Sequence, residues 1–81
     1  MATEAEVYAG LTEVFHEVFG DDTIRLTPTT SAEQVAGWDS IKMVTIIISV
    51  EQQFGIKLRS REVDQLKNVG DLATLVQAKA A

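Results

Sequence analysis

The first twenty residues carry apolar side chains at helical spacing. Thr3, followed three residues later by Glu6, has the form of a capping box that opens a helix. Gly20, followed by two aspartates, predicts the end of that helix in a left-handed backbone conformation. Between these signals one apolar stripe recurs every three or four positions, formed by Val7, Leu11, Val14, Phe15 and Val18.

Residues 21–38 contain Pro28, a cluster of threonines and serines, and Gly37, which together predict a long loop. Within it, Ser31 and Gln34 are spaced to cap one short helical turn. Loops of this length are uncommon in small domains and are often functional.

Residues 40–54 are rich in β-branched side chains, so propensity alone would favour a buried strand. The flanks favour a helix instead. Asp39 stands where an N-cap belongs, and Trp38 before it can pack against Met43 as a hydrophobic staple. Gly55 stands where a helix-ending glycine belongs, with Ile56 next to it in position to contact the last turn.

On a helical projection the polar residues of this segment share one narrow arc, and most of the remaining circumference is apolar. We therefore expect this second helix to be the most buried of the set. Glu51 projects into the apolar arc, and the pattern offers no role for it beyond a position near the helix end. The polar arc consists of Lys42, Thr45, Ser49, Gln52 and Gln53.

The C-terminal third predicts two more helices. Ser60 with Glu62 starts a short one that includes Val63 and Leu66. Asn68, with Asp71 three residues later, starts a longer one. We therefore predict an all-α fold: a single domain, residues 1–81, forming a four-helix bundle of three long helices and one short, with a long loop between helices one and two. The apolar stripe of the last helix is Val69, Leu72, Leu75 and Val76.

The composition of the chain excludes several kinds of chemistry and disfavours several kinds of partner. The chain has 81 residues, a formal net charge of −5 and no cysteine, which excludes disulfides and thiolate chemistry. An acidic surface disfavours nucleic acid and anionic lipid, and favours partners with basic docking faces. The most apolar stretch, residues 43–50, is far shorter than the roughly 20 residues of a membrane span. With no export signal visible at the N-terminus, we expect a cytoplasmic protein without membrane insertion.

Catalytic chemistry is not indicated. His16 is the only histidine, and no nucleophile or carboxylate partner stands near it in the sequence. The chain has no glycine-rich phosphate loop, no HExxH motif and no spaced set of metal ligands. We expect no catalytic residue and no metal site, so the chain is not predicted to be an enzyme.

The informative position is Ser40, where the long loop enters the second helix. If Asp39 is the N-cap, the Ser40 hydroxyl is left free at the first helical position. An anionic group attached there is stabilised by the helix dipole by about 0.3–1 kcal/mol. This suits a phosphodiester, although Asp-Ser before a helix is more often only a cap.

Three segments of the chain form a larger pattern. Gly37-Trp38-Asp39-Ser40-Ile41 is followed by an apolar helix and then by Glu51-Gln52-Gln53-Phe54-Gly55-Ile56. The last helix begins with Asn68-Val69-Gly70-Asp71-Leu72. In their order and spacing these segments resemble the acyl carrier protein family, whose last helix has a similar start.

The resemblance implies that Ser40 carries a 4′-phosphopantetheine arm, transferred from coenzyme A by a phosphopantetheinyl transferase that uses Mg²⁺. Asp39 and Ile41 would be flanking recognition residues. The arm's thiol would present acyl, aminoacyl or aryl groups as thioesters to other enzymes. Those partners would be an acyl-loading ligase or acyltransferase and downstream synthases or transferases, meeting the chain as a monomer.

Two departures from the family pattern affect the expected partners. Ile41 replaces the usual leucine, and the second helix lacks the acidic residues with which fatty-acid carriers meet their enzymes. We therefore expect a specialised lipid, polyketide or nonribosomal peptide pathway. Glu62, Asp64 and neighbouring carboxylates remain an alternative docking set. The predicted docking residues are Ile41, Lys42, Val44, Thr45, Ile48 and Glu62.

A second hypothesis is a small helical interaction module without a prosthetic group. In that case Ser40 merely supports the start of a helix, and its replacement by alanine would leave partner binding intact.

Overall fold

The computed structural model describes residues 3–80, so the predicted domain span of 1–81 includes three residues outside it. The described part contains four α-helices and no strand. This confirms the predicted all-α fold of three long helices and one short. The elements are α1 (Glu4–Phe19), a 3₁₀ turn (Ala32–Gln34), α2 (Ser40–Phe54), α3 (Ser60–Val63) and α4 (Val69–Lys79).

The ends of α1 follow the predicted local signals. The Glu6 backbone N–H donates to Thr3 Oγ1 at 3.2 Å, and the Thr3 N–H donates to Glu6 Oε1 at 3.1 Å. This reciprocal pair satisfies two of the helix's otherwise unpaired donors. At the other end Gly20 adopts φ 62°, and the Asp21 N–H returns to the His16 carbonyl at 3.2 Å.

Helix α2 is bounded in the predicted way. Asp39 Oδ1 accepts a hydrogen bond from the Lys42 N–H at 2.8 Å. Gly55 closes the helix at φ 64°, and the Ile56 N–H donates to the Glu51 carbonyl at 3.1 Å. Strong caps at both ends allow this β-branched segment to be a helix despite its strand propensity.

Helix α3 is shorter than predicted. It ends at Val63, and Leu66 lies beyond it. The Leu66 N–H donates to the Val63 carbonyl at 3.1 Å, a bond between residues three apart. The chain therefore tightens into a turn after one helical turn instead of extending to Leu66.

The core is built from one face each of α1, α2 and α4, with Val35 from the loop buried beside them. Phe15 is the largest fully buried side chain, and α1 and α4 each contribute four residues to the buried cluster. The buried cluster consists of Val7, Leu11, Val14, Phe15, Ile46, Val50, Val69, Leu72, Ala73 and Val76.

The expectation that α2 would be the most buried helix is wrong. Only Ile46 and Val50 of α2 are buried, whereas Ile41 is 75% exposed, Val44 59% and Ile48 50%. Packing against α1 covers one side of α2, and the four-residue α3 is too short to cover the other. An apolar face is therefore left facing solvent.

The long loop is fastened to the start of α4. The Val69 N–H donates to the Thr30 carbonyl at 2.7 Å, and the Gly70 N–H donates to the Pro28 carbonyl at 2.9 Å. Loop carbonyls thus satisfy donors that the first turn of a helix leaves free. The predicted cap of the 3₁₀ turn is present in part: Gln34 Oε1 accepts from the Ser31 N–H at 3.1 Å, whereas within residues 3–80 the Ser31 side chain makes no capping hydrogen bond. Within residues 3–80, no helix combines the length and apolar character needed to cross a membrane.

Candidate functional site

Ser40 is the first residue of α2, and its side chain is exposed. Asp39 supplies the helix cap, so the Ser40 hydroxyl is not needed for capping. Within residues 3–80 the hydroxyl makes no hydrogen bond. The side-chain oxygen is therefore available for chemistry at the positive end of a fifteen-residue helix.

The backbone before Ser40 is held by Trp38. Its indole Nε1–H donates to Met43 Sδ at 3.4 Å, which confirms the predicted packing of these two side chains. The indole also meets the Phe15 ring edge-on, with 5.1 Å between centroids. Such edge-to-face aromatic pairs are stabilising beyond the area they bury. Trp38 thereby anchors the loop to both α1 and α2 immediately before the candidate site.

Two grooves begin at Ser40, each of about 400 Å³. Met43 and Val63 line both of them, so these two side chains stand between the grooves. The first runs toward α4, and its apolar wall is Trp38, Met43, Val63, Leu66 and Leu72. The second runs between α2 and α3, and its apolar wall is Met43, Val44, Ile47, Ile48, Leu58 and Val63.

These walls suit an apolar group attached near Ser40, since such groups prefer surfaces that exclude water. Leu58 and Leu66 were not predicted as site residues. Their apolar character was visible in the sequence, but the grooves form only when α2, α3 and α4 come together.

Four of the predicted docking residues lie on one exposed face of α2. Ile41, Val44 and Ile48 follow each other at helical spacing, with Thr45 exposed beside them. An exposed apolar stripe of this kind is typical of a surface that meets another protein. It starts directly after Ser40.

The other two predicted docking residues make contacts inside the molecule. Lys42 is partly buried, and its Nζ donates to the Val18 carbonyl at 3.3 Å. The same ammonium lies 5.9 Å from the centre of the Phe19 ring. Glu62 forms an ion pair with Lys79 at 2.8 Å, with both side chains about a quarter exposed (27% and 26%).

The electrostatics of Glu62 follow from these contacts. The hydrogen bond from Lys79, followed by that from the Arg59 backbone N–H, holds the pKa of this carboxyl below its ordinary value. Both donors stabilise the carboxylate form.

Glu51, for which the sequence pattern offered no role, has a partner in the structure. Its Oε2 accepts a hydrogen bond from the Leu58 backbone N–H at 2.8 Å. The bond joins the end of α2 to the segment leading into α3, and Leu58 forms part of the second groove. A lone carboxylate in an apolar arc was the sequence signal for this contact.

His16 is partly buried and forms a 2.8 Å hydrogen bond through Nε2 to the Ile24 carbonyl. This contact ties α1 to the following loop and is structural. Among residues 3–80, no cluster of three or more histidine or carboxylate side chains is arranged to hold a metal ion.

Comparison with known proteins identifies the family of this chain. A family model described as "Phosphopantetheine attachment site" matches residues 9–76. A full-length match is found with the acyl carrier protein of Micrococcus luteus, which is 37% identical over 81 residues, 100% of both chains. The chain belongs to the acyl carrier protein family.

Other members of the family are similarly related. The acyl carrier protein of Myxococcus xanthus is 38% identical over 94% of this chain and 96% of its own. The meromycolate extension acyl carrier protein of Mycolicibacterium smegmatis is 34% identical over 94% of this chain and 77% of its own. The solution structure of holo acyl carrier protein from Geobacter metallireducens superposes with a TM-score of 0.85 at 45% identity, covering 90% of this chain and 84% of that one.

Acyl carrier proteins are carriers and not enzymes, which confirms the expectation that this chain is not an enzyme. Membership of this family also favours the carrier hypothesis over the interaction-module hypothesis. Their prosthetic group is 4′-phosphopantetheine, and their partners are synthases and transferases. The residues around Ser40 fit that group. They offer a free exposed hydroxyl, a helix N-terminus for a phosphodiester, and apolar grooves that start beside it.

Proposed function

We propose that Ser40 is the residue that carries the 4′-phosphopantetheine arm, and that Asp39 and Ile41 flank it as recognition residues. The observation that carries this proposal is the division of roles at the start of α2. Asp39 accepts the capping hydrogen bond, while the neighbouring Ser40 hydroxyl is exposed and free within residues 3–80. When attached, the arm supplies a terminal thiol on which the cargo is held as a thioester.

The roles of the chain's own residues follow from their positions. The N-terminus of α2 stabilises the phosphodiester charge beside Ser40. Trp38 is hydrogen-bonded to Met43 and packs edge-to-face against Phe15, which keeps the Ser40 backbone in a fixed position for the transferase. The two apolar grooves give the cargo end of the arm a water-excluding surface.

Ile41, Val44, Thr45 and Ile48 are proposed as the surface on which the phosphopantetheinyl transferase, the loading ligase or acyltransferase and the downstream synthases dock. Their exposure and common face support this assignment. Lys42 and Glu62 complete the predicted set, and the structure shows each also engaged by other residues of the chain. These partners are expected to meet the chain as a monomer in the cytoplasm, where coenzyme A is available to them.

We further propose a specialised lipid, polyketide or nonribosomal peptide pathway in place of general fatty-acid synthesis. The exposed face of α2 supports this, because it presents isoleucine and valine where an electrostatic partner would require carboxylates. A relative named for meromycolate extension is consistent with a specialised lipid.

Intact-mass spectrometry tests the attachment site. The unmodified chain is incubated with coenzyme A, Mg²⁺ and a transferase of broad specificity, and we expect a gain of one phosphopantetheine. Ser40→Ala must abolish the gain. Ser60→Ala is the matched control, because Ser60 is also an exposed serine at the first residue of a helix. An adduct that persists in Ser40→Ala, or that disappears in Ser60→Ala, would place the arm elsewhere.

A further inference from the structure

Positive charge is concentrated in one short segment of this acidic chain. Three of its seven lysines and arginines lie within residues 57–61, in a chain of net charge −5. Lys57, Arg59 and Arg61 are all exposed. We call these three residues the cationic cluster. Lys42 and Lys79, by contrast, are already engaged by the Val18 carbonyl and by Glu62.

The cationic cluster forms no ion pair within the described part of the chain. There the ion pair between Lys79 and Glu62 is the one salt bridge found. Two carboxylates bind the backbone of this segment: Glu51 accepts from the Leu58 N–H at 2.8 Å, and Glu62, whose ion pair is with Lys79, accepts from the Arg59 N–H at 3.0 Å. These two carboxylates therefore hold the backbone of the segment. The pKa of Glu62 is lowered mainly by the hydrogen bond from Lys79, and the Arg59 charge adds a smaller contribution without forming an ion pair.

Those two hydrogen bonds also give the segment a defined shape. Leu58 and Arg59 are held from opposite sides, one by the end of α2 and the other by α3. Arg59 has an extended backbone, with φ −90° and ψ 149°. A charged segment with an ordered backbone loses less conformational entropy when a partner binds it than a flexible one does.

Alternate residues of the segment differ in whether they line a groove. Leu58 and the exposed Ser60 line the groove that begins at Ser40, whereas the three exposed cations do not. Val44 and Ile48, from the exposed face of α2, line that same groove. A protein that covers this groove therefore contacts the apolar stripe and lies close to the cationic cluster, whose members alternate with Leu58 and Ser60.

We propose that the cationic cluster is a docking surface for an acidic face on an enzyme that acts on the carried group. The negative net charge of the chain by itself favours partners with basic faces. The positive charge of the cationic cluster favours the opposite, a partner with an acidic face. Complementary charge at the rim of an interface steers association and selects among partners. This docking surface rests on the proposed carrier function and adds the charge of one partner. It does not depend on which residue holds the arm.

An acidic protein face fits better than the other polyanions. Nucleic acid and anionic membranes present negative charge over wide areas, and the exposed glutamates of α1 would be repelled by them. A protein face can confine its carboxylates to a patch that matches three cations. At physiological salt, charges separated by more than about 8 Å are largely screened, so the local patch outweighs the distant net charge.

The first test titrates the ¹⁵N-labelled full chain with a short polyglutamate peptide at low salt. We expect amide shifts centred on residues 57–61 and binding that weakens about tenfold at high salt. The triple variant Lys57→Gln, Arg59→Gln, Arg61→Gln should lose this binding. Arg25→Gln is the matched control, since Arg25 is an exposed cation outside the cluster. Shifts elsewhere, or equal binding by the triple variant, would overturn the proposal.

The second test identifies the partner face. A photo-crosslinking amino acid replaces Ser60 in the natural host, and mass spectrometry maps the crosslinked peptide on the partner. We expect a surface rich in aspartate and glutamate, with about fivefold or greater loss of yield in the triple variant. Crosslinks to a basic surface, an unchanged yield in the triple variant, or crosslinks to a second copy of this chain would each refute the docking proposal. Tighter binding to vesicles of anionic phospholipid than to the polyglutamate peptide would also refute it. Intact-mass spectrometry of the same samples shows whether the arm is attached, so failure of the docking proposal is distinguished from failure of the carrier proposal.

Discussion

The Glu51 carboxylate accepts a 2.8 Å hydrogen bond from the Leu58 backbone N–H, seven residues further along the chain. This bond spans the turn between α2 and α3. At the α3 end of the turn, the Glu62 side chain accepts a hydrogen bond from the Arg59 N–H. A side chain that projects from an otherwise apolar arc thus determines how the α2–α3 segment meets the groove.

Glu51→Ala should destabilise the chain by about 1–2 kcal/mol, because the Leu58 N–H loses a charged acceptor. Glu51→Gln keeps an acceptor oxygen and should lose clearly less. Urea denaturation measures both, and amide exchange at Leu58 reports the bond itself. The exposed neighbour Gln52→Ala serves as the control. Equal stability of Glu51→Ala and the parent chain would show that the contact does not hold the turn.

Asp39→Ala should cost about 0.5–2 kcal/mol, since the Lys42 N–H loses its capping acceptor. Asp39→Asn should retain most of the stability, because asparagine caps as well as aspartate. Ser40→Ala should change stability by less than about 0.5 kcal/mol, as expected for an exposed side chain that makes no hydrogen bond within residues 3–80. Thermal denaturation of the three variants compares them, and a large loss in Ser40→Ala would mean that its hydroxyl has a structural role.

Gly70→Ala should destabilise the fold by about 1–2 kcal/mol, although alanine is the better helix former. A Cβ at this position would lie 2.6 Å from the Pro28 carbonyl oxygen, which is backbone and already bonded to the Gly70 N–H. The loop would have to move away from α4. Ala78→Ser, exposed on the same helix, should stay within about 0.5 kcal/mol in the same denaturation assay.

Stability should fall in acid, partly through Glu62. Its hydrogen bonds from Lys79 and from the Arg59 N–H hold the pKa of the folded-state carboxyl below its unfolded value of about 4.5. A group of this kind contributes stability that is fully present above the unfolded pKa. That contribution is lost as pH falls through the lower folded-state pKa.

Glu62→Gln keeps an acceptor for the Arg59 N–H and removes the charge, so it should lower stability at neutral pH and flatten the acid loss. Urea midpoints measured from neutral to acidic pH check this, with Glu33→Gln on the exposed 3₁₀ turn as the control. An acid profile of Glu62→Gln identical to that of the parent chain would contradict the assignment.

The exposed face of α2 can be tested apart from folding. Ile48→Ser should leave stability nearly unchanged, because the side chain is already 50% exposed, and should lower kcat/KM of the phosphopantetheinyl transferase by about tenfold. Thr12→Ser, on α1, is the control and should not alter the transferase rate. If Ile48→Ser is modified as fast as the parent chain, the proposed docking surface does not include this residue.

The helix boundaries could be read from the sequence because they rest on contacts within one turn. The capping pairs of Thr3 with Glu6 and of Asn68 with Asp71 join residues three apart, and both are present in the structure. Gly20 and Gly55 end their helices because glycine alone takes positive φ without strain. The position of Ser40 at a helix start followed from the same local chemistry.

Only the tertiary structure decided which apolar side chains would be covered. Ile46 and Ile48 are identical in type and two positions apart, yet one is fully buried and the other half exposed. The hydrophobicity of a side chain sets the free energy gained when it is buried. The placement of α1 and the single turn of α3 determine which apolar side chains of α2 are covered. The contact of Glu51 and the two grooves at Ser40 depend on such long-range placement, which no spacing within the chain encodes.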